Sequence, residues 1–332
     1  MAMQVSFLQS AQLPWQPYSM CFSSSFSIEN RLAISSFSKS SNNWLKIIRI
    51  VGPSAINESV IPVSFPQVSM CFSPVGSHSN SDLLITAADT VKLWQTNLEG
   101  IQNISTINVN AGIDPITCLD WSIFEESLSI CGSTDGTISA LDLGSSEVVS
   151  RIVAHDHPIF DISFCGSTPS FVTAGFEGSI RFFDLRDLQS SFIFYQTAMP
   201  ILRVSVSSID TNKIASFAAN SKNIVVVDAR NPGIPLNVLK CSEKLTSIRW
   251  SQLSPNIVHS TDATGNILET NIEEESLLVE PTTLYSSNEI IQTFVTGQGI
   301  CAISGKDRVD LLSFSRKQRR HIITEEELGQ LF

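Results

Sequence analysis

The 332-residue sequence predicts an all-β chain closed as a single seven-bladed β-propeller, and three recurrences predict it. The first is a spacing. The position held by Phe183, just before Asp184, recurs at Ile48, Trp94, Leu141, Val227, Thr270 and Leu312. Taken in order, the steps are about 46, 47, 42, 44, 43 and 42 residues, near the period of roughly 40–45 residues expected of four-stranded blades. The second is a turn signal ahead of most of these strands: AADT, STDGT, GFEGS, TDATGN and GKDR. The third is an opening-strand signal, SMCFS at Ser19 and again at Ser69, with later versions CLDWS, DISFC and SIRWS. A two-sheet sandwich would explain alternating strands, but it gives no reason for one period sustained along the whole chain.

The clearest unit is residues 151–187, RIVAHDHPIFDISFCGSTPSFVTAGFEGSIRFFDLRD. Its apolar residues Ile159, Ile162 and Phe164, then Ile180, Phe182 and Phe183, suit half-buried strands better than a helical stripe. Gly166 and Pro169 break one junction, and Gly178 after Glu177 breaks the other. One such sheet cannot cover both of its faces, so it requires neighbours of the same kind.

Taken in order, residues 1–16 are a lead-in. Within it QVSFL reads either as a strand that closes the ring against the last blade or as a disordered leader. Residues 17–315 carry the blades. The first has strands near Tyr18–Phe22, Arg31–Phe37 and Leu45–Val51, with KSSNN as a polar turn. The second holds a Gly/Ser/Pro loop at 73–81. The third has the tight-turn pair Asp135-Gly136, and the fifth has NPGIP after its third strand. The sixth carries an acidic run at Glu273–Glu275, expected to be a solvated loop. Residues 316–332 form a basic tail, RKQRR, followed by a segment in which Thr324 and Glu327 make a helix capping box. That tail reads as a short helix docked on the propeller or a frayed end, with a nuclear-import signal or phosphate patch as the other reading.

Composition bounds the function. Apolar residues make up 42% of the chain and charged ones 16%, a balance that favours a large core over disorder. The net charge of −11 repels nucleic-acid phosphates, so no direct nucleic-acid binding is expected. The seven cysteines are odd in number and scattered, with no metal-type spacing; a reduced intracellular protein, cytoplasmic and nuclear, is expected. The first residues lack a basic secretory leader and no apolar run is long enough to cross a membrane. No hydrolase elbow, nucleotide loop, zinc-protease or kinase motif occurs, so neither catalysis nor any cofactor or metal is expected.

Asp135, Glu177 and Asp262 precede third strands at blade period, which reads as turn capping rather than as paired catalytic acids. Asp184/Arg186 and Asp228/Arg230 follow the third strands of adjacent blades at the same position. They are either local ion pairs that tie down a strand end or arginines presented at the rim to a protein partner.

PWQPYSMCFS, DLLITAADTVKLW, IVAHDHPIFDISF with GFEGSIRFFDLRDL, and VVVDARNPGIPLNVL resemble WD-repeat propellers. The narrower resemblance is to the Transparent Testa Glabra and anthocyanin-regulating group of plants and its animal kinase-binding scaffold relatives. It spans most of residues 14–314 and is strongest in blades four and five. It implies that His155 sits in a buried hydrogen-bond chain with Thr173 and Glu177, with Phe183 standing where a tryptophan would extend the chain; His157 is expected to be exposed. It also implies a non-enzymatic scaffold, monomeric within its complexes, that docks protein kinases or transcription factors. A further implication is a substrate receptor of a cullin-RING ubiquitin ligase, whose adaptor would meet Asp184/Arg186 and Asp228/Arg230. Phe183 and Val227 replace the tryptophan of that motif, and Trp94 is followed by Gln95 rather than Asp.

Overall fold

Sheet formation in this chain follows from its turns. Gly136, Gly178 and Gly265 hold the second-to-third-strand turns of blades three, four and six at φ of +79°, +82° and +90°. A Cβ at these three sites would fall 2.1, 2.2 and 2.4 Å from backbone carbonyls of the next connection, so only glycine lets the two loops close together. Asp135 and Asp262 cap two of these turns, whereas Glu177, expected to do the same in the third, takes side-chain donors from His155 and Ser179 instead. Asp135 accepts from the Thr137 amide at 3.0 Å, and Asp262 accepts from the amides of Thr264 and Asn266 at 2.9 and 3.0 Å.

The computed structural model describes residues 3–23, 30–39, 42–52, 54–74, 81–109, 114–166, 169–272, 281–297 and 299–316. The acidic run at 273–275 and the tail beyond residue 316 lie outside the described residues, as do parts of the KSSNN turn and of the loop at 73–81.

The described strands form seven four-stranded antiparallel sheets. In each of blades one to six the strands follow one another from the inside outward, as in blade four with Ile159–Phe164, Ser170–Gly175, Ser179–Asp184 and Asp187–Gln196. Blade seven is assembled from both ends of the chain. Phe294–Thr296, Ile300–Ser304 and Arg308–Arg316 supply its first three strands, and Met3–Gln12 pairs with Arg308–Arg316 as its outer strand, from Met3↔Arg316 to Gln12↔Arg308. The ring is therefore latched by a strand longer than the five residues QVSFL.

The inner strands touch in a closed cycle: Pro17–Phe22, Ser69–Phe72, Ile116–Trp121, Ile159–Phe164, Ile201–Val206, Leu245–Trp250, Phe294–Thr296, and back to the first. Seven apolar clusters fill the seven gaps between adjacent blades. Between blades three and four, for example, Ile130, Ile138 and Ala140 meet Ile159, Ile162, Phe171 and Phe183. A central strand is thus covered on both faces, and Leu128–Ser133 and Ser170–Gly175 are buried at every position. The outer strand Glu147–Val153 has only one covered face and alternates exposed with half-buried residues. All seven period-marking residues, Ile48 through Leu312, lie buried on third strands.

Candidate functional site

Turns between second and third strands, together with the connections from one blade to the next, form the upper face of the ring. The remaining turns form the lower face. On the upper face His155 is buried (1% exposed). Its Nε2 lies 2.7 Å from Thr173 Oγ1, and its Nδ1 meets the Glu177 carboxylate. A carboxylate only accepts, so Nδ1 carries the ring proton and Nε2 accepts from the threonine hydroxyl. Burial lowers the His155 pKa below the usual histidine value against the opposing pull of Glu177. Ser179 Oγ donates to Glu177 at 2.9 Å, and Arg181 donates to the Ala154 carbonyl at 2.9 Å, so the loops between blades three and four are pinned from several sides. Phe183 stacks on Phe171 with centroids 5.4 Å apart instead of donating a hydrogen bond. In blade two the tryptophan end of the same chain is present: Trp94 Nε1 donates to Thr86 Oγ1 at 2.9 Å. His157 is exposed and stacks on Phe176 at 5.6 Å.

On the lower face the structure brings together the partners in both Asp-x-Arg pairs. Arg186 Nε donates to Asp184 at 3.0 Å and Arg230 Nε donates to Asp228 at 2.8 Å, with a second bond in each case from Nη2. Arg230 also reaches Asp210 at 3.5 Å. The arginine side chains remain 71% and 59% exposed, respectively, so each aspartate orients a guanidinium that still faces solvent. The arginine beside each carboxylate holds the pKa of Asp184 and Asp228 below the usual value.

Between the two faces runs a central channel lined by the inner strands, into which the repeat places charges that were not singled out in the sequence. Asp120 caps the neighbouring inner strand by accepting from the Phe164 amide at 2.8 Å, and Asp161 does the same to the Val204 amide at 3.0 Å. Ser205 continues the series with the Trp250 amide at 2.9 Å. The inner strands of blades three to six are thereby stitched one to the next. Burial pushes the Asp120 carboxyl up to about 6, against the pull of its hydrogen bonds, and raises that of Asp161 as well. Arg203 and Arg249 line the upper channel mouth with Asp161.

Sequence reasoning also missed a buried ion cluster between blades one and two. Arg31, 1% exposed, binds Glu58 through two bonds of 2.8 and 3.2 Å and Asp82 through one of 2.6 Å. Nothing in the repeat marks these three residues, because each sits on a different strand and the period aligns none of them. Among the described residues no group of three or more His, Cys, Asp or Glu side chains is placed to hold a metal ion, and all seven cysteines are unpaired thiols.

No protein-family model matches the chain. It is 29% identical over 294 residues to a WD repeat-containing protein of Saccharomyces cerevisiae, covering 74% of this chain and 55% of that one. It is 26% identical over 274 residues to an uncharacterized WD repeat-containing protein of Schizosaccharomyces pombe, covering 71% and 63%. With a DDB1- and CUL4-associated factor 7 homolog of Dictyostelium discoideum the identity is 30% over 230 residues, covering 67% of this chain and 71% of the relative. The chain belongs to this WD-repeat β-propeller family. As a WD-repeat protein it keeps the aspartate of the signature pair more often than the tryptophan: Leu141-Asp142, Phe183-Asp184 and Val227-Asp228 end three third strands, and Trp94-Gln95 lies within another, Val91–Asn97. The relatives support a protein-interaction scaffold or adaptor. This chain spans little more than half the length of the two yeast relatives.

Proposed function

We propose that this WD-repeat protein is a non-enzymatic scaffold, working in cytoplasm and nucleus, that docks a protein kinase or a transcription factor on its faces and rim. The observation that carries the proposal is the closed ring itself. Seven interlocked sheets, latched by Met3–Gln12, hold the loops of both faces in place before a partner arrives. A rigid docking surface avoids the ordering cost that a flexible one would incur on binding. The upper face presents apolar and aromatic side chains suited to protein contacts, among them Tyr18 against Phe37 at 4.9 Å and Phe176 between His157 and Phe160. The choice of partner class follows the resemblance of the sequence motifs to the plant anthocyanin-regulating group and its kinase-binding relatives, which the relatives found by comparison do not themselves name.

A second reading is favoured by the lower face and by the name of the Dictyostelium relative. Two equally spaced, oriented and exposed arginines, Arg186 and Arg230, suit the adaptor of a cullin-RING ubiquitin ligase, and the chain would then be its substrate receptor. Affinity purification of the full chain from its native cells tests both, with an Arg186→Ala/Arg230→Ala variant alongside. A kinase or DNA-binding factor retained by the variant supports the scaffold. An adaptor and cullin present with the wild type and lost from the variant support the receptor. Recovery of the chain with neither class of partner overturns both.

A further inference from the structure

Phe65 and Pro66, on the connection from blade one to blade two, face Ala88 and Asp89 in a turn of blade two and Asp114 and Pro115 at the entry to blade three. Together they line an upper-face cavity of about 270 Å³, floored by the buried Ile116. Its walls are mostly apolar, and Asp89 and Asp114 are the charged residues along them among the described residues. Phe65 stands 52% exposed at its edge, a large aromatic left uncovered by its own chain.

The walls are fixed from beneath. The Ile116 amide donates to the Ala88 carbonyl at 3.0 Å, joining the blade-three entry to the blade-two turn. The buried Gln67 side chain donates from Nε2 to the Phe65 carbonyl at 2.8 Å, and Ser35 Oγ donates to the Gln67 backbone carbonyl at 2.7 Å. A preformed apolar cavity with fixed walls gains affinity by requiring little ordering. Its size lies just below the roughly 300–1,000 Å³ of drug-sized ligand sites, which suits one side chain of a peptide better than a whole metabolite.

We propose that this cavity is a docking site for a protein segment in which one aliphatic or aromatic side chain is flanked by lysine or arginine. The apolar side chain fills the space between Phe65, Pro66, Ala88 and Pro115, and the flanking cation meets Asp89 and Asp114. The charge of −11 on the whole chain steers basic segments toward the surface from a distance. Val68 lines both this cavity and the upper channel mouth, so a bound segment has a continuous path toward the ring axis. The inference rests on the scaffold reading and adds to it the place and the chemistry of one partner contact.

The test is selection of displayed random dodecapeptides on the full chain, followed by titration of the enriched peptides against wild type, Phe65→Ala and Asp89→Asn/Asp114→Asn. Thermal melting establishes that each variant is folded; Phe65 is exposed, so its truncation leaves the core intact. The expected result is a class of peptides with an apolar residue beside lysine or arginine that loses tenfold or more in affinity to both variants. Raising the salt concentration weakens the same peptides on the wild type but has a smaller effect on the double aspartate variant. Three results overturn the inference: enriched peptides that bind Phe65→Ala as well as wild type, Phe65-dependent peptides without a cation, or a wild-type dimer that Phe65→Ala makes monomeric. None of these touches the scaffold reading, which stands or falls on the native-cell purification.

Discussion

Removing Arg31 tests how blades one and two are held together. Its guanidinium is 1% exposed and bridges two carboxylates that are 4% and 6% exposed. In Arg31→Met the methionine fills the stem volume but removes the guanidinium that Glu58 and Asp82 share. A carboxylate avoids being a lone buried charge by taking up a proton, at a cost of about 1.4 kcal/mol for each pH unit above its ordinary value near 4. At pH 7 that limits the penalty to about 4 kcal/mol for each group, or about 8 for the two. Broken buried pairs cost about 3–5 kcal/mol, and a loss in that range is expected here. Acid should reduce it: at pH 5 each proton is taken up about 2.7 kcal/mol more cheaply, so the ceiling for the two groups falls from about 8 to about 3 kcal/mol and the deficit relative to wild type should shrink. Urea titrations of both proteins at pH 7 and pH 5, compared at equal m-value, measure this. Replacing the whole cluster, Arg31→Met/Glu58→Leu/Asp82→Leu, should recover most of the loss. A deficit under about 1 kcal/mol at pH 7, or one of the same size at pH 5, would refute the reasoning.

Other consequences follow from the same geometry. His155→Ala strands Thr173 and Glu177 and opens a hole between blades three and four, for an expected loss of about 3 kcal/mol at pH 7.5 in urea melts. Because burial depresses the folded pKa of His155, its contribution is complete above the ordinary value near 6.5 and is lost as pH falls through the folded value, so the deficit should narrow by pH 5.5. Asp120 has the opposite sign. Its folded value near 6 lies above the ordinary 3.8, so the native state binds the proton more tightly. Wild type should therefore gain stability relative to Asp120→Asn as pH falls from about 6 toward 4, by at most about 1.4 kcal/mol per pH unit. Asp120 keeps partial exposure, and solvent screening brings the gain below that ceiling. Gly178→Ala must place a Cβ 2.2 Å from the Thr197 carbonyl at a φ of +82°, and a loss of about 1–3 kcal/mol in the same assay is expected.

The ring was legible because a propeller repeats its demands. Each third strand must bury one residue against its neighbour and then turn, so Ile48, Trp94, Leu141, Phe183, Val227, Thr270 and Leu312 stand at blade period even though their chemistry varies. Asp135 and Asp262 were legible for the same reason, since a tight turn that closes on a neighbouring carbonyl needs both a cap and a glycine. The Thr173 and Glu177 contacts of His155 were named from a resemblance, and the Phe183–Phe171 stack shows what replaces the hydrogen bond when the tryptophan is absent. Blade seven was harder to read because its inner strand is only three residues long and its outer strand comes from the other end of the chain.

What the repeat does not impose, the sequence does not display. Arg31, Glu58 and Asp82 come from the second and outer strands of blade one and the second strand of blade two, at separations no local rule connects. A charge on a central strand reads as an exposed position or an error of register until its partners are known. Only the packing of blade two against blade one turns three isolated charges into a bridged ion cluster. The cavity under Phe65 has the same origin, since its walls come from three loops that become neighbours only on closure. Arg186 and Arg230 differ in kind: each is oriented by the aspartate two residues before it, so the local pattern was enough to place them. Their equal placement in adjacent blades makes both of them available to a single partner surface, whereas a purely local tie would be satisfied by either pair alone. Single and double arginine variants therefore separate the two roles. A shared partner gives a double-variant loss that departs from the sum of the single losses, and two independent ties give one that equals it.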